Sequence, residues 1–207
     1  MSQLIRDILE RTRQRAEAGD SVAQYQIGRT YEEDSAKEEA LKWYRLSADN
    51  DYPPAMHKIA EDLASYAIFE RDSESKERLL DKIRAYNAAA IAQNYLPAIH
   101  ALGESYRTGD WYVENIDIAL AIECHQLAAK GDYPESHYSL GVMLLDKEGS
   151  QEDVDCAIAS LNRAAKLGLK AAQKKLARVF AGHYPGIPQN ISMAHEWLRI
   201  AENNQET

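Results

Sequence analysis

The sequence predicts an all-α fold, a right-handed solenoid of about five helical hairpins behind an N-terminal capping helix. Three observations carry this expectation. One six-residue phrase recurs, as AQYQIG at Ala23, AMHKIA at Ala55, AIHALG at Ala98, SHYSLG at Ser136 and AQKKLA at Ala172. Each copy is followed by a second segment whose end carries small residues, near Ser47, Ala90, Ala128, Ala164 and Ala201. Finally, 31 of the 207 residues are Ala, against 10 Gly, 6 Pro and 2 Phe, a composition that favours helix and leaves strands little of the material they need.

Successive phrases lie 32, 43, 38 and 36 residues apart, inside the range in which a helical hairpin is the stacking unit. In chain order, helices are expected near 2–18, 21–33, 36–49, 54–69, 73–93, 97–108, 117–130, 135–146, 153–167, 170–181 and 190–203. The first is a half-repeat: RAEAGDSVAQY resembles AAKGDYPESHY, the end of a later second helix, so residues 2–18 should cover the apolar face of the first full hairpin. The remaining ten pair into repeats over about 20–51, 52–94, 95–132, 133–168 and 169–203, all within a single domain of residues 1–207. In each first helix the aliphatic residue fills the hairpin. The missing Cβ at Gly28, Gly103 and Gly141 admits the facing helix, despite a propensity cost of about 1 kcal/mol. Asp117, Asp153 and Asn190 each stand 11 residues before the small residue near a second-helix end, where an N-cap acceptor belongs. Ser35 or Ala36 opens the second helix of the first repeat with a weaker signal.

Two stretches carry a resemblance to a known family. GIPQNISMAHEWLRIA at 186–201 resembles the loop and second helix of the Sel1-like repeat, a relative of the tetratricopeptide repeat, and ALKWYRLSA at 40–48 resembles the same second helix. The resemblance runs from about residue 16 to 203. It departs in the second repeat, where FERDSESKERLL replaces the glycine-rich loop and Ala60 stands in for glycine. It implies a TPR-like α-solenoid that works as a protein-binding adaptor. One branch of the family, with paired cysteines in each repeat, is linked to penicillin binding and β-lactam hydrolysis; Cys124 and Cys156 alone do not fit that branch.

Composition narrows the function further. A formal charge of −9 with no local excess of Lys and Arg argues against nucleic acid and suits a basic or mixed-charge protein partner. MSQLIRDILERTRQR has no apolar h-region and nowhere do 18 apolar residues run together, which reads as a cytoplasmic protein without a membrane span. In that compartment Cys124 and Cys156 read as reduced, buried thiols. The sequence contains no P-loop, dinucleotide fingerprint, HExxH, nucleophile elbow or close Cys–His cluster, so neither an enzyme nor a cofactor is expected.

The candidate partner surface is the inner face of the first helices. With the glycines turned to the second helices, residues four apart share that face: Tyr25 with Arg29, His57 with Glu61, His100 with Glu104, Tyr138 with Val142, Lys174 with Arg178. Arg107 joins them. These residues form a ladder able to grip an extended or helical protein segment. A second contact surface stays open, the loop GDWYVEN with Trp111 and Tyr112. His57–Glu61 and His100–Glu104 also have metal-chelating spacing, but an i,i+4 hydrogen bond explains each pair as well, and no metal is expected. His125, His183 and His195 lack matching partners and read as surface or packing residues. The function expected is a non-enzymatic interaction module. Two alternatives are a cytoplasmic immunity or antitoxin protein neutralising a basic effector, and a metal-dependent enzyme built on the His/Glu pairs.

Overall fold

Helices begin where a side chain or a proline can serve the first backbone N–H groups, which have no partner within the helix. A computed structural model describes residues 3–110, 113, 115–147, 150–184 and 186–204, and no strand occurs among them. Its contacts divide it into two compact halves, Met1–Ala98 and Ile99–Thr207.

In the first half α1 (Gln3–Glu17) packs on α2 (Ser21–Glu33), which forms a hairpin with α3 (Lys37–Asp49). A second hairpin follows, α4 (Pro53–Ala67) with α5 (Ser73–Ala92). The side chains of Asp20 and Asp72 accept the N–H of Ala23 and Ser75 to start α2 and α5, while Pro53 starts α4. No side chain caps α3; its N-cap is Ala36, and Ser35 before it takes a positive φ of 60°.

The boundary between the halves falls in α6 (Leu96–Thr108), whose C-terminal part faces α7 (Ile118–Lys130). Then come α8 (Pro134–Asp146) with α9 (Gln151–Lys166), and α10 (Lys170–Arg178) with α11 (Ile191–Asn203). Asp117 and Asn190 cap α7 and α11 as their spacing suggests. Asp153 does not cap α9: Ser150 does, and Asp153 sits three residues in, its carboxylate accepting the Ser150 N–H at 2.9 Å in a reciprocal capping box. The spacing argument fails there because α9 starts earlier, so the same register falls inside the helix. The expected helix 170–181 also divides. After Arg178 the chain continues as a π-helical turn, Val179–His183, in which Gly182 turns to φ 90°.

The recurring small residues are the seams. Ala23, Ala55, Ala98, Ser136 and Ala172, which open the phrases, are all buried, and so are Ser47, Ala90, Ala128, Ala164 and Ala201. Side chains this short let helix axes approach closely. Every junction between hairpins needs one residue in the left-handed region, and it is supplied by Gly19, Asp51, Asn94, Asp132 and Gly168, with φ between 56° and 96°. Helix α1 behaves as a second helix should. Gln24, buried in α2, donates from Nε2 to the Ala16 carbonyl at 3.0 Å, and its Oε1 accepts from Asn50 Nδ2. Far down the chain, Gln173 donates to the Ala165 carbonyl at 3.1 Å and accepts from Asn204.

Candidate functional site

The glycines face as expected, and what they face is specific. A Cβ on Gly28 would come within 2.6 Å of the Tyr44 ring, on Gly103 within 2.8 Å of the His125 ring, and on Gly141 within 2.7 Å of Leu161 Cγ. Tyr44, His125 and Leu161 each stand three residues before the small residue of a second helix, so one slot holds three different side chains. Where a phrase carries a ring, the ring packs in the joint; the last copy has Lys174 there instead. Tyr25 meets Tyr44 and Tyr52 at 5.3 and 5.4 Å between centroids, His57 meets Tyr95 at 5.7 Å, and His100 meets His125 and Tyr133 at 5.1 and 5.3 Å. The turn tyrosines therefore pack in the joint between hairpins, and the phrase rings are half-buried against them. Tyr138 packs in the same way on the core around Leu161 and Leu176.

The charged members of the ladder reach water. Arg29 is exposed and pairs with Glu33; Lys174 and Arg178 are exposed on α10. His57 Nδ1 meets Asn87 Oδ1 at 3.1 Å, whereas its Nε2 lies 3.7 Å from Glu61, too far for the expected hydrogen bond. Trp111 and Tyr112 lie outside the described residues.

Five of the named residues, Val142 among them, line one groove. Between α6 and α8 a cleft of about 450 Å³ is bounded by His100, Glu104, Arg107, Tyr138, Ser139 and Met143, with Glu135 and Asp146 at its rim. Glu104 organises its wall. Its Oε2 accepts from Arg107 Nη2 at 2.6 Å and its Oε1 from Ser139 Oγ at 2.7 Å, so the carboxylate bridges the two first helices. Burial alone would raise the Glu104 pKa, but His125, Arg107 and Ser139 around it outweigh burial and hold the carboxyl far below the usual range. His100 Nδ1 meets Ser136 Oγ at 3.0 Å, a second link across the same groove.

His125 is the residue that sequence reasoning missed. It has no exposed surface, and its Nε2 lies 3.2 Å from Glu104 Oε1, a charge-pair distance without the angle of a hydrogen bond; among the described residues neither ring nitrogen has a hydrogen-bond partner. The signal was present: His125 precedes Ala128 by three, as Tyr44 precedes Ser47. Other expectations need smaller corrections. Both cysteines are free, but Cys156 is exposed and Cys124 half-buried. An apolar patch also went unnoticed at the end of α4, where Tyr66 and Ile68 are exposed and Phe69, the first residue of the stretch that departs from the repeat, is 81% exposed.

The Sel1 repeat model matches residues 21–52, 96–133 and 170–205, just over half of the chain. The chain belongs to the Sel1 repeat family. The hairpins α4–α5 and α8–α9, between the matched segments, keep the same form. Sel1 repeat proteins are generally protein-interaction modules, and the family is typically a non-enzymatic scaffold. Chitin synthase regulatory factor 3 of Schizosaccharomyces pombe is 27% identical over 144 residues, covering 69% of this chain; the match spans only 15% of that relative's length. Among solved structures, a Sel1 repeat protein from Oxalobacter formigenes superposes with a TM-score of 0.78 at 21% identity, over 96% of this chain and 79% of the other. The immunity protein PA5088 of Pseudomonas aeruginosa gives 0.65 at 17% identity, over 98% and 74%. These likenesses are of fold: an all-α solenoid of Sel1-like hairpins. No helix among the described residues is long and apolar enough to cross a membrane.

Proposed function

We propose that this Sel1 repeat protein binds a protein or peptide partner, without catalysis, along the inner face of its first helices, with the α6–α8 groove as the principal contact. The observation that carries the proposal is the convergence of His100, Glu104, Arg107 and Tyr138 on one cleft. The cleft combines an aromatic ring, a hydrogen-bonding wall and acidic residues, the ingredients that peptide recognition uses. Glu104, Glu135 and Asp146 outnumber Arg107, and the chain carries a net charge of −9, so a basic or mixed-charge segment fits best. Tyr25, Arg29, His57, Glu61, Lys174 and Arg178 would extend the contact on the other first helices.

The test uses a partner recovered by affinity capture from the native cell. Replacing His100 and Arg107 together by Ala should weaken binding by at least about 1 kcal/mol while leaving the helical spectrum intact. Unchanged affinity in calorimetry, with binding abolished by Trp111→Ala, would transfer the site to the loop of Trp111 and Tyr112. A second reading, a cytoplasmic immunity protein for a basic effector, is favoured by the likeness to the Pseudomonas immunity proteins together with the acidic charge. A basic toxin encoded beside the gene, neutralised on co-expression, would support it.

A further inference from the structure

We propose that His100, Glu104 and His125 form a binding site for a zinc-class divalent cation in the wall of the α6–α8 groove. One potential ligand atom from each residue lies within 4.8 Å of the others. A tetrahedral ion with bonds of about 2.0–2.1 Å sets its ligand atoms about 3.3 Å apart, and His125 Nε2 already stands 3.2 Å from Glu104 Oε1. Two imidazoles and one carboxylate suit zinc and its neighbours better than magnesium or calcium, which prefer oxygen throughout.

The second observation is independent of spacing. A fully buried imidazole with no hydrogen bond at either nitrogen is costly, because it gives up water and here has only the Glu104 carboxylate, 3.2 Å away and off the hydrogen-bond angle, in return. The equivalent slot elsewhere accepts Leu161 or a tyrosine whose hydroxyl reaches a carboxylate, so packing alone does not call for histidine. A cation gives the His125 lone pair a partner.

The surroundings fit that role. A Cβ at position 103 would meet the His125 ring at 2.8 Å, so glycine there lets the ring lie against α6 with its nitrogen beside the next residue, Glu104. Ser139 steadies the Oε1 atom of Glu104, and Ser136 meets His100 at Nδ1, the kind of outer bonds that orient metal ligands. Arg107 competes for the same carboxylate, but its side chain is 43% exposed and can swing into water. Three protein ligands leave a fourth position for water or for a group in the groove. The expectation of no metal rested on His/Glu pairs within single helices; the third ligand comes from α7.

The experiment uses the full untagged chain, stripped with chelator and titrated with Co²⁺ and Zn²⁺, with Mg²⁺ as a negative control. One equivalent of Co²⁺ should bind with the visible absorption of a tetrahedral site, Zn²⁺ should displace it, and the thermal midpoint should rise with occupancy. Glu104→Gln and His125→Leu should each abolish the signal and the thermal shift. The leucine variant should fold, since Leu161 fills the same slot opposite Gly141. His195→Ala, exposed on α11, should bind as the native chain does. No binding by the native chain at millimolar Co²⁺ or Zn²⁺ would overturn the proposal. So would undiminished binding by the folded leucine variant.

Discussion

Tyr25, Tyr44 and Tyr52 in the first half occupy the same three positions as His100, His125 and Tyr133 in the second. In both, a phrase ring lies over a ring admitted by glycine and against the tyrosine of the next turn. The difference is where the polar atom ends up. The Tyr44 ring is buried, but its hydroxyl sits at the far tip and donates to Glu32 Oε2 at 2.8 Å, with Lys58 2.8 Å from the other oxygen. Burial, then Glu32, pushes the phenol pKa well above its usual value. His125 carries its nitrogens within the ring, so the same slot keeps them inside the joint. One packing position therefore serves as an apolar plug at Leu161, a tethered phenol at Tyr44 and, at His125, an imidazole with no hydrogen bond.

The comparison can be broken most severely at the glycines. Gly141→Ala should cost about 2 kcal/mol by urea unfolding, because its Cβ would meet Leu161 Cγ at 2.7 Å and the Ala157 carbonyl at 3.0 Å, neither of which moves easily. Gly103→Ala meets only the His125 ring and should cost less. Equal midpoints for native and Gly141→Ala protein would mean that the slot is looser than these distances require. Tyr44→Phe comes next, losing about 1 kcal/mol as the hydroxyl bond to Glu32 disappears. In metal-free buffer His125→Leu should change stability by less than Tyr44→Phe does, since the relief of removing buried nitrogens with no hydrogen bond offsets the lost contact with Glu104. A large loss for both variants would erase the distinction between the two joints.

The smallest effect concerns the third joint. Burial, with Tyr25 and Glu61 nearby, pushes the Tyr95 phenol up to about 12, against about 10 for an ordinary tyrosine. A raised folded-state pKa gives stability that is complete below about pH 10 and is lost as pH climbs through about 12. The urea midpoint of the native chain should therefore fall more between about pH 9 and pH 11.5 than that of Tyr95→Phe. Parallel falls would show that this ring is not tied to the joint.

Much of the architecture was legible because repeats confess their packing through repetition. A position that is small in all five copies has to be a seam, and all ten such positions are buried. Local chemistry was harder to read. Ser150 and Asp153 are both good capping residues, and only the backbone shows which one ends up outside the helix. The turn at Val179–His183 has no periodic signature because a π-turn interrupts the period itself. The groove residues could be named from their i,i+4 spacing, which is a property of one helix. Their bonds across to Ser136 and Ser139, and the approach of His125 from α7, are properties of two helices, and spacing along the chain does not encode them.

The buried glutamines set the terms on which such a chain can change length. The capping helix presents to α2 what the second helix α9 presents to α10: a carbonyl eight residues back, at Ala16 as at Ala165, waiting for an amide. A duplicated hairpin spliced between α1 and α2 would find that acceptor on one side and offer it on the other. Growth by whole hairpins thus leaves every seam intact, whereas an insertion of two or three residues within a turn would swing the carbonyl out of reach. Length in this protein changes by whole hairpins, and two of its seams, at Gln24 and Gln173, are marked by a glutamine with its carbonyl.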